Sequence, residues 1–241
     1  MTTKSDLAHA LSAELAQMTL AERLALLAER FPGLVRFSTS FGKEDQAITQ
    51  AIVKHAPGIG IFTLDTGRLF EETYSTFSAT RERLGASIEV FTPKQDALAQ
   101  FVSAKGPNSF FESVANRLEC CRIRKVEPLQ RALQGVAVWI TGLRRGQSAN
   151  RAELPFAEWD SDHELIKVNV ILDWDDGQLD SYIDAHNIPI NRLHAKGFPS
   201  IGCAPCTRAV KPGEDSRAGR WWWENPNKKE CGLHLHTGEK S

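Results

Sequence analysis

Between Leu34 and Thr141 the chain alternates short apolar runs with helical segments, and this alternation constrains the fold more than any other feature. Leu34 to Phe37, Ile59 to Leu64, Ser87 to Phe91 and Val136 to Thr141 read as strands, and Glu164 to Leu172 as a further short one. The helix after the first strand places Ala47, Ile48, Ala51 and Ile52 on one face, and others are expected over roughly Phe70 to Leu84, within 94–135, and from Asp176 to His186 with Asp175 or Asp176 as its cap. Strands alternating with helices build an α/β fold, a mostly parallel sheet covered on both faces. Ligands of such sheets bind outside the carboxyl ends of the strands. Three polar, glycine-bearing strand ends are expected to converge there: Ser38 to Gly42, Asp65 to Gly67, and Gly142 to Arg145. The first is a strand, a small-residue loop and a helix, which aims backbone N–H groups and a helix N-terminus at an anion. It lacks the spacing of a Walker A loop. Asp65 has two readings of equal weight, an acceptor for a ribose or adenine group or a cap for the next helix.

Length places 241 residues at one domain of upper ordinary size. The expected division is an α/β domain over 1–206, with a helical appendage at 1–30, and a C-terminal tail or lid over 207–241. In the appendage Leu7, Leu11 and Leu15 repeat at helical spacing, and Thr19 with Glu22 forms a capping box. Arg144 to Asp160 reads as a polar irregular loop over the strand ends. The tail is rich in Arg and Lys and carries Trp221, Trp222 and Trp223 in succession. Three exposed tryptophans are costly, so the tail is expected to dock. A net charge of −1 and 24% charged residues give no basic surface for a long nucleic acid. No stretch approaches the roughly 18 apolar residues of a membrane span, and a reducing cytoplasm is the expected compartment. The sequence does not fix the oligomeric state, a homo-oligomer included.

Five cysteines are too few for a disulfide scaffold in a chain of this length, so metal binding or catalysis is the better reading. Cys120 and Cys121 are adjacent; Cys203 and Cys206 form a C-x-x-C turn. Four thiolates on two segments suit either a tetrahedral zinc or a cubane iron–sulfur cluster. If Cys121 starts a helix, Lys125 lies one turn on, on the same face, and can meet an anionic guest. Cys231, in Glu230-Cys231-Gly232-Leu233-His234, is left over and is the candidate for chemistry. His163, His186 and His194 have no ligand-like spacing.

Together these pieces carry a family likeness that runs from Ser38 to about His234. The chain resembles the assimilatory adenylyl-sulfate (APS) reductases, the iron–sulfur type of the APS and phosphoadenylyl-sulfate (PAPS) reductase family. The matching residues are Ser40 to Asp45, Leu64 to Arg68, Cys120-Cys121 with Arg124 to Leu129, Thr141 to Arg145, Gly202 to Arg208, Gly213 to Glu224, and Glu230 to His234. The resemblance implies an adenine-nucleotide α-hydrolase-like sheet, as in ATP pyrophosphatases. It implies one [4Fe–4S] cluster on Cys120, Cys121, Cys203 and Cys206, with Cys231 as nucleophile. The substrate is then adenosine 5′-phosphosulfate and the electron donor reduced thioredoxin or a glutaredoxin-like protein. Members without the four cysteines typically take PAPS, so their presence favours APS, with PAPS or dual specificity as the alternative. The substrate set read on this basis is Ser38, Ser40, Phe41, Gly42, Asp65, Gly67, Lys125, Arg151, Arg217 and Arg220.

Overall fold

The computed structural model describes residues 3–147 and 151–224. The chain divides into two compact units. The first takes the residues up to Thr63, Thr73–Glu89 and Gly135–Asn191; the second takes Leu64–Glu72, Val90–Gln134 and the residues from Arg192 on.

The first unit is built on a six-stranded sheet of β1 (Val35–Thr39), β2 (Gly60–Leu64), β3 (Ile88–Phe91), β4 (Val138–Thr141), β5 (Ala157–Asp160) and β6 (Leu165–Asn169), with Leu64 of β2 and Val90 and Phe91 of β3 counted in the second unit. Their order across the sheet is β3-β2-β1-β4-β6-β5. β1 pairs in parallel with β2 and β4, and β4 with β6. The order runs outward from β1 in both directions, so the switch point, where α/β sheets open a crevice, lies at the carboxyl ends of β1 and β4. All four residues of β4 and all five of β6 are buried, as strands of a sheet covered on both faces must be, and the polar ones are paired: Lys167 with Glu158, and Thr141 with Asn169. β5 corrects the sequence reading. Ala157–Asp160 was expected in a loop and instead pairs antiparallel with β6 along the sheet edge. Its four residues Ala-Glu-Trp-Asp hold too few apolar positions to show a period, and only pairing makes them a strand.

The helices of this unit are α1 (Lys4–Leu15), α2 (Leu20–Arg30), α3 (Lys43–His55), α4 (Glu71–Leu84, of which the first two residues belong to the second unit) and α8 (Asp176–Ala185). Capping boxes open α1 at Thr3 and Asp6, α2 at Thr19 and Glu22, and α8 at Asp175 and Gln178. Leu11, Leu15, Leu24 and Leu27 enter the main core beside Val35, Phe37, Ile48, Ile140 and Val168. Leu7 does not: it is 42% exposed, and Ala8 holds the buried position of that turn. Arg23 is buried in α2. It forks onto Asp173 at 2.8 and 2.9 Å, donates to the carbonyls of Leu15 and Val170, and lies over the Phe156 ring. A buried guanidinium satisfied at every side fixes α2 on the end of the sheet. Among the described residues no helix is long and apolar enough to cross a membrane.

The second unit is mostly helical: α5 (Gln95–Lys105), α6 (Val114–Cys121) and α7 (Glu127–Ala132), the last two joined by a π-helical turn, Arg122–Val126. Its core gathers Phe101, Phe110, Cys120, Ile123, Cys203, Cys206 and Trp221.

Candidate active site

In the first unit the turn after β1 is held by the side chain of Asp45. Its Oδ2 accepts from Ser40 N–H at 2.6 Å and Ser40 Oγ at 2.7 Å, and the Gly42 N–H adds a third bond. Burial pushes this carboxyl up to about 6; the Ser40 hydrogen bonds oppose the shift and Glu44 beside it adds to it. Phe41 takes a positive φ of 63° at the turn, and its ring stacks on Phe77 at 5.0 Å. Its N–H donates to Thr39 Oγ1. Ser38 Oγ accepts from Trp139 Nε1 at 2.9 Å. At the end of β4, a side chain on Gly142 would place its Cβ 2.6 Å from Asp45 Oδ1, so a larger residue there would have to displace the Asp45 carboxylate. Arg144 is buried and forks between Glu44 and Asp176, each at 2.7 Å. Gln147 also donates to Glu44 and accepts from Arg151. The strand ends of β1 and β4 therefore meet as the sequence predicts, and most of their polar groups are used on one another.

In the second unit Asp65 follows directly on the end of β2. Its Oδ1 accepts from Gly67 N–H at 2.8 Å, which caps the turn itself rather than α4. Gly67 carries φ +67°, a conformation that favours glycine.

All four predicted cysteines line one cavity, together with Arg68, Phe110, Arg117, Arg124, Lys125, Arg220 and Trp221. Cys121 ends α6 rather than starting a helix. The π-helical turn that follows keeps the backbone helical but widens the spacing, and Lys125 still reaches the cavity wall. Cys203 Sγ shares a 3.3 Å hydrogen bond with Thr66 Oγ1. Burial raises the Cys120 thiol against the pull of Arg124. Cys206 is pushed up to about 12 by burial and then by Cys203, with Lys125 and Arg220 acting the other way.

Trp221 closes the cavity. It is 1% exposed, and the guanidinium carbons of Arg117 and Arg220 lie 4.8 and 4.9 Å from its ring centroid. Arg117 forks onto Glu224 at 2.8 and 2.9 Å, a fully buried pair that ties the end of the described chain to α6. Arg220 is buried, donates to Ser200 Oγ, and packs so closely on Gly202 that a Cβ there would collide with it. The spacing of Arg217 and Arg220 was read as helical; the structure makes it a turn, in which Arg220 N–H donates to Arg217 O. Arg217 is partly exposed and does not line the cavity. The docking expected of the tryptophans holds for Trp221, while Trp222 stays exposed. His163, His186 and His194 bond Asp160, Tyr182 O and Phe198 O, as packing residues do. Cys231 lies outside the described residues.

Sequence reasoning missed Arg68, Arg117, Arg124 and Trp221. Arg124 had a signal: it stands four residues after Cys120, as Lys125 does after Cys121. It is buried and donates to Thr66 O at 2.6 Å. The other three meet the cavity only through the tertiary fold.

Among the buried donors at this cavity, Arg124 Nε and Trp221 Nε1 have no hydrogen-bond partner among the described residues. Buried unmatched donors, soft thiols and a ring of cations fit an anionic, sulfur-rich guest. Among the described residues no three His, Cys, Asp or Glu side chains are grouped so as to hold a single metal ion.

The sheet order and its strand-end turns define an adenine-nucleotide α-hydrolase-like fold. Residues 35–209 match the model of the phosphoadenosine phosphosulfate reductase domain, and the chain belongs to that family. An "adenosine 5′-phosphosulfate reductase" of Agrobacterium fabrum is 53% identical over 231 residues, covering 96% of this chain and 88% of the relative. The crystal structure of a phosphoadenylyl-sulfate reductase from Candida auris, solved with phosphate, is similar with a TM-score of 0.74 at 27% identity, over 87% of this chain and 99% of that one. A Candida glabrata FMN adenylyltransferase, at 14% identity and a TM-score of 0.52 over 91% of this chain and 81% of that one, shares the fold alone.

Proposed function

We propose that this chain reduces adenosine 5′-phosphosulfate to sulfite and AMP, with Cys231 as nucleophile and a reduced thioredoxin or glutaredoxin-like protein as donor. One observation carries the reading: four cysteines from two distant segments line one cavity that also holds Lys125 and Arg220. Cys120, Cys121, Cys203 and Cys206 would hold one [4Fe–4S] cluster, whose four corners suit thiols spread along a wall. When bound, the cluster ties the two segments together and adds its charge to the field at the sulfate.

The rest is thiol chemistry. The Cys231 thiolate attacks the sulfate sulfur of the mixed anhydride; the S–O bond to phosphate breaks, AMP leaves, and an S-sulfonate forms on Cys231. The donor's thiolate then attacks the Cys231 sulfur, sulfite departs, and the donor's second thiol releases Cys231 and leaves a disulfide. The two electrons come from that dithiol. Repulsion among thiolate, sulfate and phosphate is the main barrier, and Lys125, Arg151, Arg217 and Arg220 supply the cations against it. The turn at Ser38, Ser40, Phe41 and Gly42 takes the 5′-phosphate, with Asp65 and Gly67 toward the nucleoside. Residues 207–241 serve as the segment that brings Cys231 to the substrate, rooted at Trp221 and Glu224. A reducing cytoplasm suits four free thiols.

The phosphoadenosine phosphosulfate reductase family match and the Candida auris phosphoadenylyl-sulfate reductase favour a second reading, PAPS reduction or dual specificity. Steady-state kinetics of the iron-loaded enzyme with each nucleotide separates them. The proposal expects a kcat/KM for APS at least about tenfold above that for PAPS; equal values or the reverse establish the second reading. Zinc without iron and sulfide in active protein would remove the cluster from the account.

A further inference from the structure

Beside the cavity, the second unit leaves four large apolar side chains in solvent. Phe111, Val114, Leu118 and Trp222 are 44, 38, 40 and 40% exposed. They are not scattered. Phe111 and Trp222 meet ring to ring at 6.3 Å, and both also touch Trp223, at 4.4 and 4.8 Å. Val114 and Leu118 are one turn apart on α6, whose capping residue Ser113 follows Phe111 by two. The same helix carries Arg117, which grips Glu224, and ends in Cys120 and Cys121. Clusters of this kind on an otherwise polar surface mark interaction sites, and exposed aromatics are the residues that anchor them.

The chain itself indicates the occupant. Cys231 lies seven residues beyond Glu224, so fully extended chain carries it at most about 25 Å from that anchor. A protein whose thiol attacks Cys231 must therefore bring that thiol within about 25 Å of Glu224, a radius that takes in Trp222 and α6.

We infer that Phe111, Val114, Leu118 and Trp222 form the docking surface for the reducing dithiol protein, of thioredoxin type, that discharges the Cys231 S-sulfonate. The inference rests on the sulfonate reading above. In the docked complex the partner's first thiolate attacks the Cys231 sulfur and releases sulfite. Its second thiol resolves the mixed disulfide, returning the Cys231 thiolate and leaving the partner's disulfide with two protons released. Docking speeds these two steps and leaves sulfonation by the nucleotide untouched.

The test uses the full-length, iron-loaded enzyme and the double variant Phe111→Asp/Leu118→Lys, both exposed positions, with Leu118→Ser as a milder second variant. The expected result is a KM for reduced thioredoxin raised about tenfold or more in the double variant and less in the single. The amount of S-sulfonate formed in a single turnover with APS, and turnover driven by dithiothreitol, stay at the wild-type level. An unchanged KM for thioredoxin in a folded double variant overturns the inference. So does light scattering that shows a wild-type dimer which the variant splits, because the surface would then be covered by a second copy. Loss of the adduct in the variants alone would place the surface in the sulfonation step and overturn docking. Absence of an adduct even in the wild type would overturn the sulfonate reading beneath it.

Discussion

The turn after β1 and the cysteine cavity are both polar places in an apolar protein, yet they are finished to different degrees. At the turn the protein satisfies itself. Ser40 and Gly42 donate to Asp45, Phe41 donates to Thr39, and Arg144 is spent on Glu44 and Asp176. At the cavity Arg124 Nε and Trp221 Nε1 are buried with nothing among the described residues to receive them, and each such donor costs about 1–3 kcal/mol. A turn of the first kind keeps its shape without a ligand. A cavity of the second kind is stabilised by its guest. Under the proposed function, the first would be a preorganised nucleotide site and the second a site whose order depends on its cofactor.

The largest expected effect tests what roots the second region. Glu224→Gln leaves Arg117 buried beside Trp221 without its counter-charge. Loss of one partner of a buried pair costs about 3–5 kcal/mol, read as a lower urea midpoint, whereas replacing both residues by leucine costs less. A single variant as stable as the wild type would show that the anchor is dispensable.

Lys125→Ala sharpens the comparison from the chemical side. The cavity cation is expected to act on the developing charge, a contribution of about 3 kcal/mol and so roughly a hundredfold in kcat. Full activity in a variant that retains its iron would remove the electrostatic role from Lys125 and leave it as a wall residue.

The effect at the turn is of similar size but is read only against pH. Asp45 titrates near 6 in the folded protein against an ordinary 3.8, chiefly through burial. The folded state then holds a proton the unfolded state has lost, so this group's contribution is full below about pH 4 and falls as pH rises through about 6. The two-unit gap is worth about 3 kcal/mol. Stability curves at pH 4 to 7 should show that loss in the wild type and its absence in Asp45→Asn. Parallel slopes in the two proteins would mean that folding leaves the proton affinity of Asp45 unchanged.

How much of each region the sequence reveals follows from the range of the interactions. The turn is legible because strand, Ser-Phe-Gly and helix are contiguous, and β1, β2, β4, α3 and α8 all carry their periods locally. The cysteine set is legible because only so many ligands exist. Local reading fails where a neighbour decides. β5 is a strand because β6 lies beside it. Leu7 has the right spacing but lies at the exposed edge of the buried face of α1. Cys121 closes a helix because the π-helical turn after it resets the spacing. Trp221 could be recognised as costly in water, yet nothing local says that it would roof the cysteines between Arg117 and Arg220.

The central claim is that Cys231 becomes sulfonated at the expense of the nucleotide. Intact-protein mass spectrometry after anaerobic mixing of the iron-loaded enzyme with APS, with no reducing thiol present, tests it directly. The account predicts one sulfonate adduct per chain, mapping to Cys231, absent in Cys231→Ser and released as sulfite by reduced thioredoxin. An enzyme that produces sulfite with thioredoxin while never carrying the adduct, or that carries it on another cysteine, would contradict it.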